Sequence, residues 1–348
     1  MTEGGTDDGR AADADGGGDE TAEAPAETDT AALENGGAAA DGDVNVDVDF
    51  AVAVIGGGPA GCAAGVFTAR YGLETIIFDR GPSSLRRCAS LENYLGFPCG
   101  IEIETFLELA QDHAEQAGCQ LRNDLVESVS RLEDGEGFRL EPQEGESVTA
   151  RFVVAASKYD GSYLRGLDDD ESMFVTQEHD GGTAERFDRD YPDDDGTTPV
   201  DGLYVAGPLA GSGDQAIIAA GHGATVARTL IRELREEAGF WGKYAGHYDW
   251  RRKVENRREE WVDPERWVEL FEESAPDDYD PITVRRLAET YADEYGSDYV
   301  EPDVAAQRAE RGQRRLAAAL EDEIILEAVD DEAILERARE LEDSPSDG

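Results

Sequence analysis

Three glycines near the amino-terminal end have the spacing Gly56-x-Gly58-x-x-Gly61, directly after the apolar stretch AVAVI. The first glycine permits a tight turn, the second lets the backbone approach a pyrophosphate, and the third lets a helix pack closely on a strand. The stretch AVAVI is typical of a buried strand, and residues 59–71 have the pattern of a helix that ends at Gly72. Between a strand and a helix N-terminus, this motif predicts dinucleotide binding, because the free amides there attract phosphate.

An acidic residue completes the motif at the end of the second predicted strand, ETIIFDR. Asp79 lies 23 residues after Gly56, near the spacing of about 20 at which a carboxylate binds ribose hydroxyls. A further apolar strand, GLYVAG, reaches Gly207 and leads into an Ala-rich helix predicted from Asp214 to Glu237. The chain therefore contains two strand–glycine–helix segments, and a single nucleotide-binding turn does not explain the second.

Three stretches together resemble the thioredoxin reductase-like flavoproteins: VIGGGPAGCAAGVFTARYGLETIIFDR, ENYLGFPCGIEIETFLELAQDHAEQAGCQL and DGLYVAGPLAGSGDQAIIAAGHGATVARTLI. They extend over roughly residues 51–232, about half of the chain. The middle stretch is the most specific, since members of this family carry a Glu-Asn-(Tyr/Phe)-x-Gly-(Phe/Tyr) segment beside the flavin, matched by residues 92–97. The resemblance implies one FAD-binding domain that is split in sequence, so that the second glycine-bearing strand returns to the same cofactor.

The resemblance also implies the cofactor contacts. The turn at Gly56 would face the pyrophosphate, Asp79 the adenosine ribose and Asn93 the isoalloxazine, while Gln215 and Ala216 would offer backbone donors to the flavin's pyrimidine edge. Such donors stabilise the negative charge that builds near N1 and O2 of a reduced flavin. The predicted FAD-binding set is Gly56, Gly58, Pro59, Ala60, Gly61, Asp79, Arg80, Asn93, Ala155, Gly207, Gln215 and Ala216. The sequence assigns no catalytic acid or base and no metal-ligand set.

The chain departs from the family pattern at three places. Pro208 stands where the family has an aspartate that holds the ribityl chain, and proline has neither a carboxylate nor an N–H. Ser157 stands where the family has a glycine after an earlier strand. Only 45 residues separate Ser157 from Leu203, too few for the inserted NAD(P)H domain of the family, since one βαβ unit takes about 30.

The four cysteines form no Cys-x-x-Cys pair, which makes thioredoxin reduction by the family mechanism improbable. We expect Cys62 and Cys119 to be buried. Cys88 and Cys99 lie near the predicted flavin segment, and packed, reduced thiols are favoured there over a pair that exchanges electrons with the flavin. For His222 an ordinary helical position is favoured over an approach to the cofactor.

The formal net charge of the 348 residues is −49, from 80 acidic and 31 basic side chains. This field repels nucleic acid and anionic lipid, so neither is expected as a partner. Molar salt shortens the Debye length to about 3 Å and screens the self-repulsion, which indicates a cytoplasmic protein of a salt-accumulating organism. No run of 18 apolar residues occurs, and no membrane-spanning helix is expected.

Composition divides the chain into three parts. Residues 1–47 are predicted to be a disordered acidic tail, because they contain almost no large apolar side chains. Residues 48–238 are predicted to form an α/β, Rossmann-like FAD-binding domain, with a parallel sheet, flanking helices and a small antiparallel meander. Residues 239–348 hold all four tryptophans and are predicted to be a helical C-terminal extension. The segment 158–200 is poorly periodic and suggests loops or a small excursion.

Two functions are open at this stage. The first is an FAD-dependent oxidoreductase of reduced architecture, whose substrate, electron donor and electron acceptor the sequence does not identify. The alternative, favoured by Pro208, Ser157 and the missing domain, is a non-catalytic flavin- or nucleotide-binding module used as a sensor or in an interaction. A homodimer is an expectation from the family resemblance alone.

Overall fold

A computed structural model describes residues 48–81, 83–133, 135–179 and 182–343, all of which belong to one compact unit. The predicted acidic tail, residues 1–47, lies outside the described residues. The strands are β1 (Phe50–Ile55), β2 (Thr75–Phe78), β3 (Gln120–Arg122), β4 (Val126–Arg131), β5 (Phe138–Pro142), β6 (Val148–Ala155), β7 (Phe174–His179), β8 (Gly182–Phe187), β9 (Leu203–Val205), β10 (Arg252–Lys253) and β11 (Tyr299–Val300). The helices are α1 (Pro59–Tyr71), α2 (Ile103–Ala117), α3 (Asp170–Met173), α4 (Ala216–Glu237), α5 (Pro264–Ser274), α6 (Pro281–Ser297), α7 (Pro302–Ala318), α8 (Asp322–Ala328) and α9 (Asp331–Asp343).

The main sheet has the strand order β3-β2-β1-β6-β5-β4, with β9 also paired to β6. Strands β3, β2, β1, β6 and β9 are parallel, whereas β4, β5 and β6 form an antiparallel meander. Strand β6 serves both parts: its first residues pair with β5 and its last three, Val153–Ala155, pair with β9. The predicted α/β fold with a parallel sheet, flanking helices and a small meander is confirmed.

The sheet is buried on both faces, as the apolar sequence of β1 requires. Val52 and Val54 pack with helices α1 and α4 on one face, whereas Ala53 and Ile55 pack with the meander on the other. Helix α1 has the predicted bounds, because Pro59 begins it and Gly72 ends it in a left-handed conformation with φ +101°. Because β1, β6 and β9 are parallel and β6 pairs with both of the others, their carboxyl ends lie side by side at one edge of the sheet.

The segment between β6 and β9 contains a short helix, α3, and an antiparallel hairpin, β7–β8, and its described residues hold no βαβ unit. Phe174 and Phe187 pair across the hairpin, with 5.8 Å between ring centroids, and join the core on the meander face. The loops or small excursion expected here are thus, in part, an ordered hairpin fixed by two aromatic side chains.

The helical C-terminal extension is confirmed, and its first part has a core of its own. Phe240, Tyr244, Trp267 and Phe271 are buried together with residues of α6. This region is joined to α4 by Arg235, whose guanidinium is 1% exposed and donates to Glu294 at 2.8 Å and to the Tyr244 carbonyl at 3.1 Å. Helices α7, α8 and α9 contain no buried residue. Within the described ranges, no helix is both long enough and apolar enough to cross a bilayer.

Candidate cofactor groove

A groove with a volume of about 430 Å³ lies where β1, β6 and β9 end. This is the position at which ligands bind in open α/β sheets. Both glycine turns contribute to its wall. Of the residues predicted to bind FAD, eight line it: Gly56, Gly58, Pro59, Ala60, Asp79, Arg80, Gln215 and Ala216. Cofactor binding by these residues remains a prediction, but their arrangement around one groove is what that prediction requires.

The first turn needs its glycines for steric reasons. Gly56 has φ +121°, and a Cβ on it would lie 2.8 Å from the carbonyl oxygen of Ala156. A Cβ on Gly61 would lie 1.8 Å from the carbonyl oxygen of Gly56. Gly58 differs, since a Cβ there would meet no protein atom within 4 Å. Gly56 and Gly61 therefore shape the turn, whereas Gly58 borders open space on the groove side.

The second turn is held from behind by a histidine. Gly207 has φ +73°, and its N–H donates to Nδ1 of His222 at 2.9 Å. The other ring nitrogen of His222 is 3.1 Å from the carbonyl oxygen of Asp194 and donates to it, because Nδ1 already accepts. His222 thus supports the turn from an ordinary position in α4, as the sequence favoured. The groove is lined by Pro208 and not by His222.

Two helix N-termini open into the groove without a side-chain cap. Helix α1 begins after Gly58 and α4 begins after Gln215, and neither has an acidic residue in its first turn. Every other described helix has a side-chain cap, an acidic first turn or both. In a chain with 80 acidic residues, these two helix ends keep free amide donors and the positive ends of their dipoles. Such ends favour an anionic group in the groove.

Asp79 is positioned by a residue that sequence reasoning missed. One oxygen of its carboxylate, Oδ2, accepts from Nε2 of Gln111 at 2.6 Å, and Oδ1 accepts from the Gly81 N–H at 3.2 Å. Gln111 comes from α2 and also reaches the carbonyl of Gly57 at 3.4 Å. The carboxylate at the end of β2 is therefore held beside the first turn, with lone pairs left to accept from a hydroxyl.

Basic side chains collect at the groove against the charge of the whole chain. Arg80, Arg86, Arg87 and Lys158 all line it. Arg86 pairs with Glu104 at 2.9 Å, and Lys158 lies 3.6 Å from Asp214. Within the described ranges, Arg80 and Arg87 have no carboxylate within 4 Å. The lining also holds four aspartates, so these four basic residues bring its formal charge to zero in a chain of net charge −49.

The side chain of Ser157, at the position where the thioredoxin reductase-like flavoproteins have glycine, is held by two hydrogen bonds. Its hydroxyl donates to the Asp160 carbonyl at 2.5 Å and accepts from the hydroxyl of Tyr163 at 2.7 Å. Burial raises the pKa of Tyr163 well above its usual range, so this phenol stays protonated. Ser157 and Tyr163 both line the groove, where they fix the loop that follows β6.

The four remaining predicted residues lie around the groove and do not line it. Gly61 lies inside α1, Ala155 is the buried last residue of β6, and Gly207 is buried in the turn after β9. Asn93 is exposed and donates from Nδ2 to Oε1 of Gln215 at 2.7 Å. The segment 92–97 is thus joined to the start of α4, which gives the family-like motif a defined contact with the second turn.

One expectation about the cysteines is wrong. Cys62 and Cys119 are buried, as predicted, and burial raises the pKa of each thiol to about 12. Cys88 and Cys99 were expected to be packed, but both are exposed. They lie in a segment of turns, where Cys99 has φ +71°, so no apolar layer covers them. The described residues contain no disulfide and no group of three or more potential metal ligands.

Several groove residues carried no recognisable signal in the sequence. They include the lining residues Ser83, Leu85, Arg87, Lys158 and Tyr163, and the supporting residue Gln111. Arg87 is the exception, because it belongs to an Arg-rich segment that follows Asp79, the residue predicted to bind ribose.

Comparisons with known proteins support the resemblance found in the sequence. A 120-residue stretch, 33% of this chain, is 39% identical to a bifunctional thioredoxin reductase/thioredoxin of Mycobacterium leprae (strain TN), of which it covers 25%. A stretch of 111 residues, 31% of this chain, is 29% identical to an NADH dehydrogenase of Bacillus subtilis (strain 168), of which it covers 21%. The chain thus spans a quarter or less of the length of these curated relatives, and no family model matches it.

Among solved structures, similarity is found to thioredoxin reductases. That of Gloeobacter violaceus has a TM-score of 0.44 and 19% identity, over 56% of this chain and 97% of the other. The atypical thioredoxin reductase TRi of Desulfovibrio vulgaris Hildenborough has a TM-score of 0.43 and 19% identity, over 54% of this chain and 99% of the other. The predicted resemblance to thioredoxin reductase-like flavoproteins is confirmed as a resemblance over part of the chain.

Proposed function

We propose that the groove binds FAD and that the chain is a flavoprotein oxidoreductase. The observation that carries the proposal is the convergence of two uncapped helix N-termini on one groove. An elongated cofactor with a pyrophosphate and an electron-rich ring edge would contact both helix N-termini. Each helix N-terminus supplies amide N–H groups that donate hydrogen bonds to a negatively charged part of the cofactor. The similarity to part of a thioredoxin reductase supports FAD as the cofactor.

At the first turn, the chain would bind the pyrophosphate and the ribose. The amides of Ala60 and Gly61 in the first turn of α1 are free to donate to phosphate oxygens. Arg80 and Arg87, which lack carboxylate partners in the described part of the chain, add positive charge. Asp79, held by Gln111, would accept a hydrogen bond from a ribose hydroxyl.

At the second turn, Gln215 and Ala216 would place the α4 amides against the flavin ring. Pro208 offers no N–H at this end, so binding there depends on the helix N-terminus. When bound, FAD would supply the electron transfer between a donor and an acceptor. The protein would contribute position and a fixed electrostatic environment.

The electron donor would have to come from outside this fold. The described residues between β6 and β9 form no βαβ unit in which a nicotinamide nucleotide would bind. A freely docking nicotinamide nucleotide or a second protein would therefore deliver the electrons. Self-association into a homodimer also remains a proposal.

A Gly58→Leu substitution tests the cofactor site. The new side chain would meet no protein atom at Cβ and would point into the space where the phosphate must approach. We expect FAD affinity, measured by titration and visible absorbance, to fall at least tenfold, or about 1.4 kcal/mol. Gly221→Leu is the matched control, because Gly221 lies on the exposed side of α4 and a Cβ there also meets nothing within 4 Å.

The two variants and the parent separate the outcomes. A colourless parent that takes up no added FAD would overturn the proposal, as would equal FAD affinity in Gly58→Leu and Gly221→Leu. Bleaching of the bound flavin by NADH or NADPH with many turnovers would support an enzyme. FAD binding without turnover with any donor would favour the non-catalytic module, for which the missing N–H at Pro208 is the specific observation.

A further inference from the structure

A second cavity lies in the C-terminal extension, formed by the segment 250–261 and the end of α6 with β11. Its volume is about 550 Å³. Its lining combines basic and aromatic side chains with one amide: Trp250, Arg251, Arg252, Lys253, Asn256, Arg258, Trp261, Tyr295 and Tyr299. We call it the Trp250 cavity. The FAD proposal makes no use of it.

The charge of this cavity is opposite to that of the chain. Five of the eight residues 251–258 are Arg or Lys and one is acidic, in a chain of net charge −49. Arg251 is neutralised by Asp298 at 3.3 Å and Asp249 at 3.7 Å. Arg252 and Lys253 have no carboxylate within 4 Å in the described part of the chain. Their charge therefore remains available to an anion.

The aromatic side chains present flat surfaces beside this charge. The Arg252 guanidinium lies 5.2 Å from the ring centroid of Trp250 and 5.5 Å from that of Tyr295. Trp250 is nevertheless 57% exposed, so much of its indole is free to stack with a planar ring. Bases stack on exposed aromatic side chains in proteins that bind single-stranded nucleic acids, because every base has a flat π face.

An unpartnered donor adjoins the cavity. The Nε of Arg257 is buried and has no hydrogen-bond partner among the described residues. Its guanidinium packs over Tyr299, a cavity residue, at 5.6 Å from the ring centroid. Arg257 does not line the cavity itself, so it adds positive charge behind Tyr299 rather than a direct contact.

We propose that the Trp250 cavity binds a nucleotide, with the base stacked on Trp250 and a phosphate held by Arg252 and Lys253. Arginine and lysine next to exposed aromatic rings supply both contacts that such a ligand needs. A mononucleotide or dinucleotide is favoured over a nucleic acid, because the field of the whole chain repels a polyanion.

The test is a calorimetric titration with ADP in the presence of saturating FAD, at the lowest salt in which the protein is folded. Adenosine and ribose 5-phosphate serve as half-ligands. We expect ADP to bind at least tenfold more tightly than either. Trp250→Ala and Arg252→Gln should each weaken ADP binding at least fivefold and leave FAD binding unchanged. Arg286→Gln, an exposed charge on α6 outside the cavity, is the control and should bind ADP like the parent.

Each other outcome overturns the proposal. Equal affinity for ADP and ribose 5-phosphate would mean a phosphate site without stacking. ADP binding that is lost in Gly58→Leu but unchanged in Trp250→Ala would place the ligand in the FAD groove. Tighter binding of a single-stranded oligonucleotide than of ADP would identify a nucleic-acid surface. Circular dichroism of each variant checks that a loss of binding does not come from unfolding.

Discussion

His247 shows at the scale of one residue how the C-terminal extension is attached to the α/β core. Its ring packs edge-on against Tyr71 at the end of α1, with 4.8 Å between ring centroids. Burial, with a smaller contribution from Arg235, lowers the pKa of His247 to about 4 against the opposing effect of Asp249. The imidazole is thus kept neutral in the folded state at any pH above about 4.

This burial predicts an acid-dependent loss of stability. Above an ordinary histidine pKa of 6.5, His247 is neutral in both states and has no effect. Between pH 6.5 and 4 the unfolded chain binds a proton that the folded chain does not, so stability falls as the pH falls. After allowance for partial exposure, we expect a loss of roughly 2 kcal/mol.

Urea unfolding of His247→Gln at pH 7 and pH 4.5 measures this contribution. The variant should lose less stability than the parent on acidification. Asp298→Asn should do the opposite, because burial raises the pKa of Asp298 to about 6, so that in the parent its protonation in the folded state adds stability as the pH falls below 6. Identical pH dependence of His247→Gln and the parent would contradict the assignment.

At the scale of elements, the groove depends on how closely α1 and α4 approach. A Cβ on Gly223 would lie 2.0 Å from the carbonyl oxygen of Ala60, so the two helices touch through glycine. Gly223→Ala should destabilise the protein by about 1–3 kcal/mol, because the helices must separate. Gly221→Ala, two residues earlier on the exposed side of α4, should stabilise it by about 0.5–1 kcal/mol through helix propensity.

Chemical denaturation of the two alanine variants decides this prediction. Gly223→Ala should also weaken FAD binding, since both helix N-termini face the groove. Equal stability of the two variants would mean that the α1–α4 contact relaxes without cost.

The elements that could be predicted from the sequence are those with local signals. Helix α1 was predicted to the residue because Pro59 and Gly72 mark its ends. The hairpin β7–β8 was missed because only Phe174 and Phe187 anchor it to the core, whereas its other described side chains are largely exposed.

The candidate site divides in the same way. The glycine turns were evident because steric limits leave no other residue at Gly56 and Gly61. The Gln111–Asp79 hydrogen bond and the exposure of Cys88 and Cys99 could not be predicted from the sequence, because they depend on packing between segments that are distant in sequence.

At the scale of the whole molecule, the excess of 49 negative charges opposes the compact state. The described ion pairs are mostly exposed side chains, each worth about 0–1 kcal/mol, so they offset little of this repulsion. Dissolved salt is therefore expected to supply the missing screening.

We predict that stability rises steeply with KCl up to about 1 M and then levels off, because the Debye length shortens from about 10 Å at 0.1 M to about 3 Å at 1 M. The expected gain is about 2 kcal/mol, or roughly 5 °C in the unfolding midpoint. Choline chloride at equal ionic strength should give the same gain, since screening does not depend on the cation. A gain with potassium alone would instead indicate specific cation sites. A steady rise to several molar, matched by sucrose, would assign the effect to solute exclusion from apolar surface and would contradict charge screening as its cause.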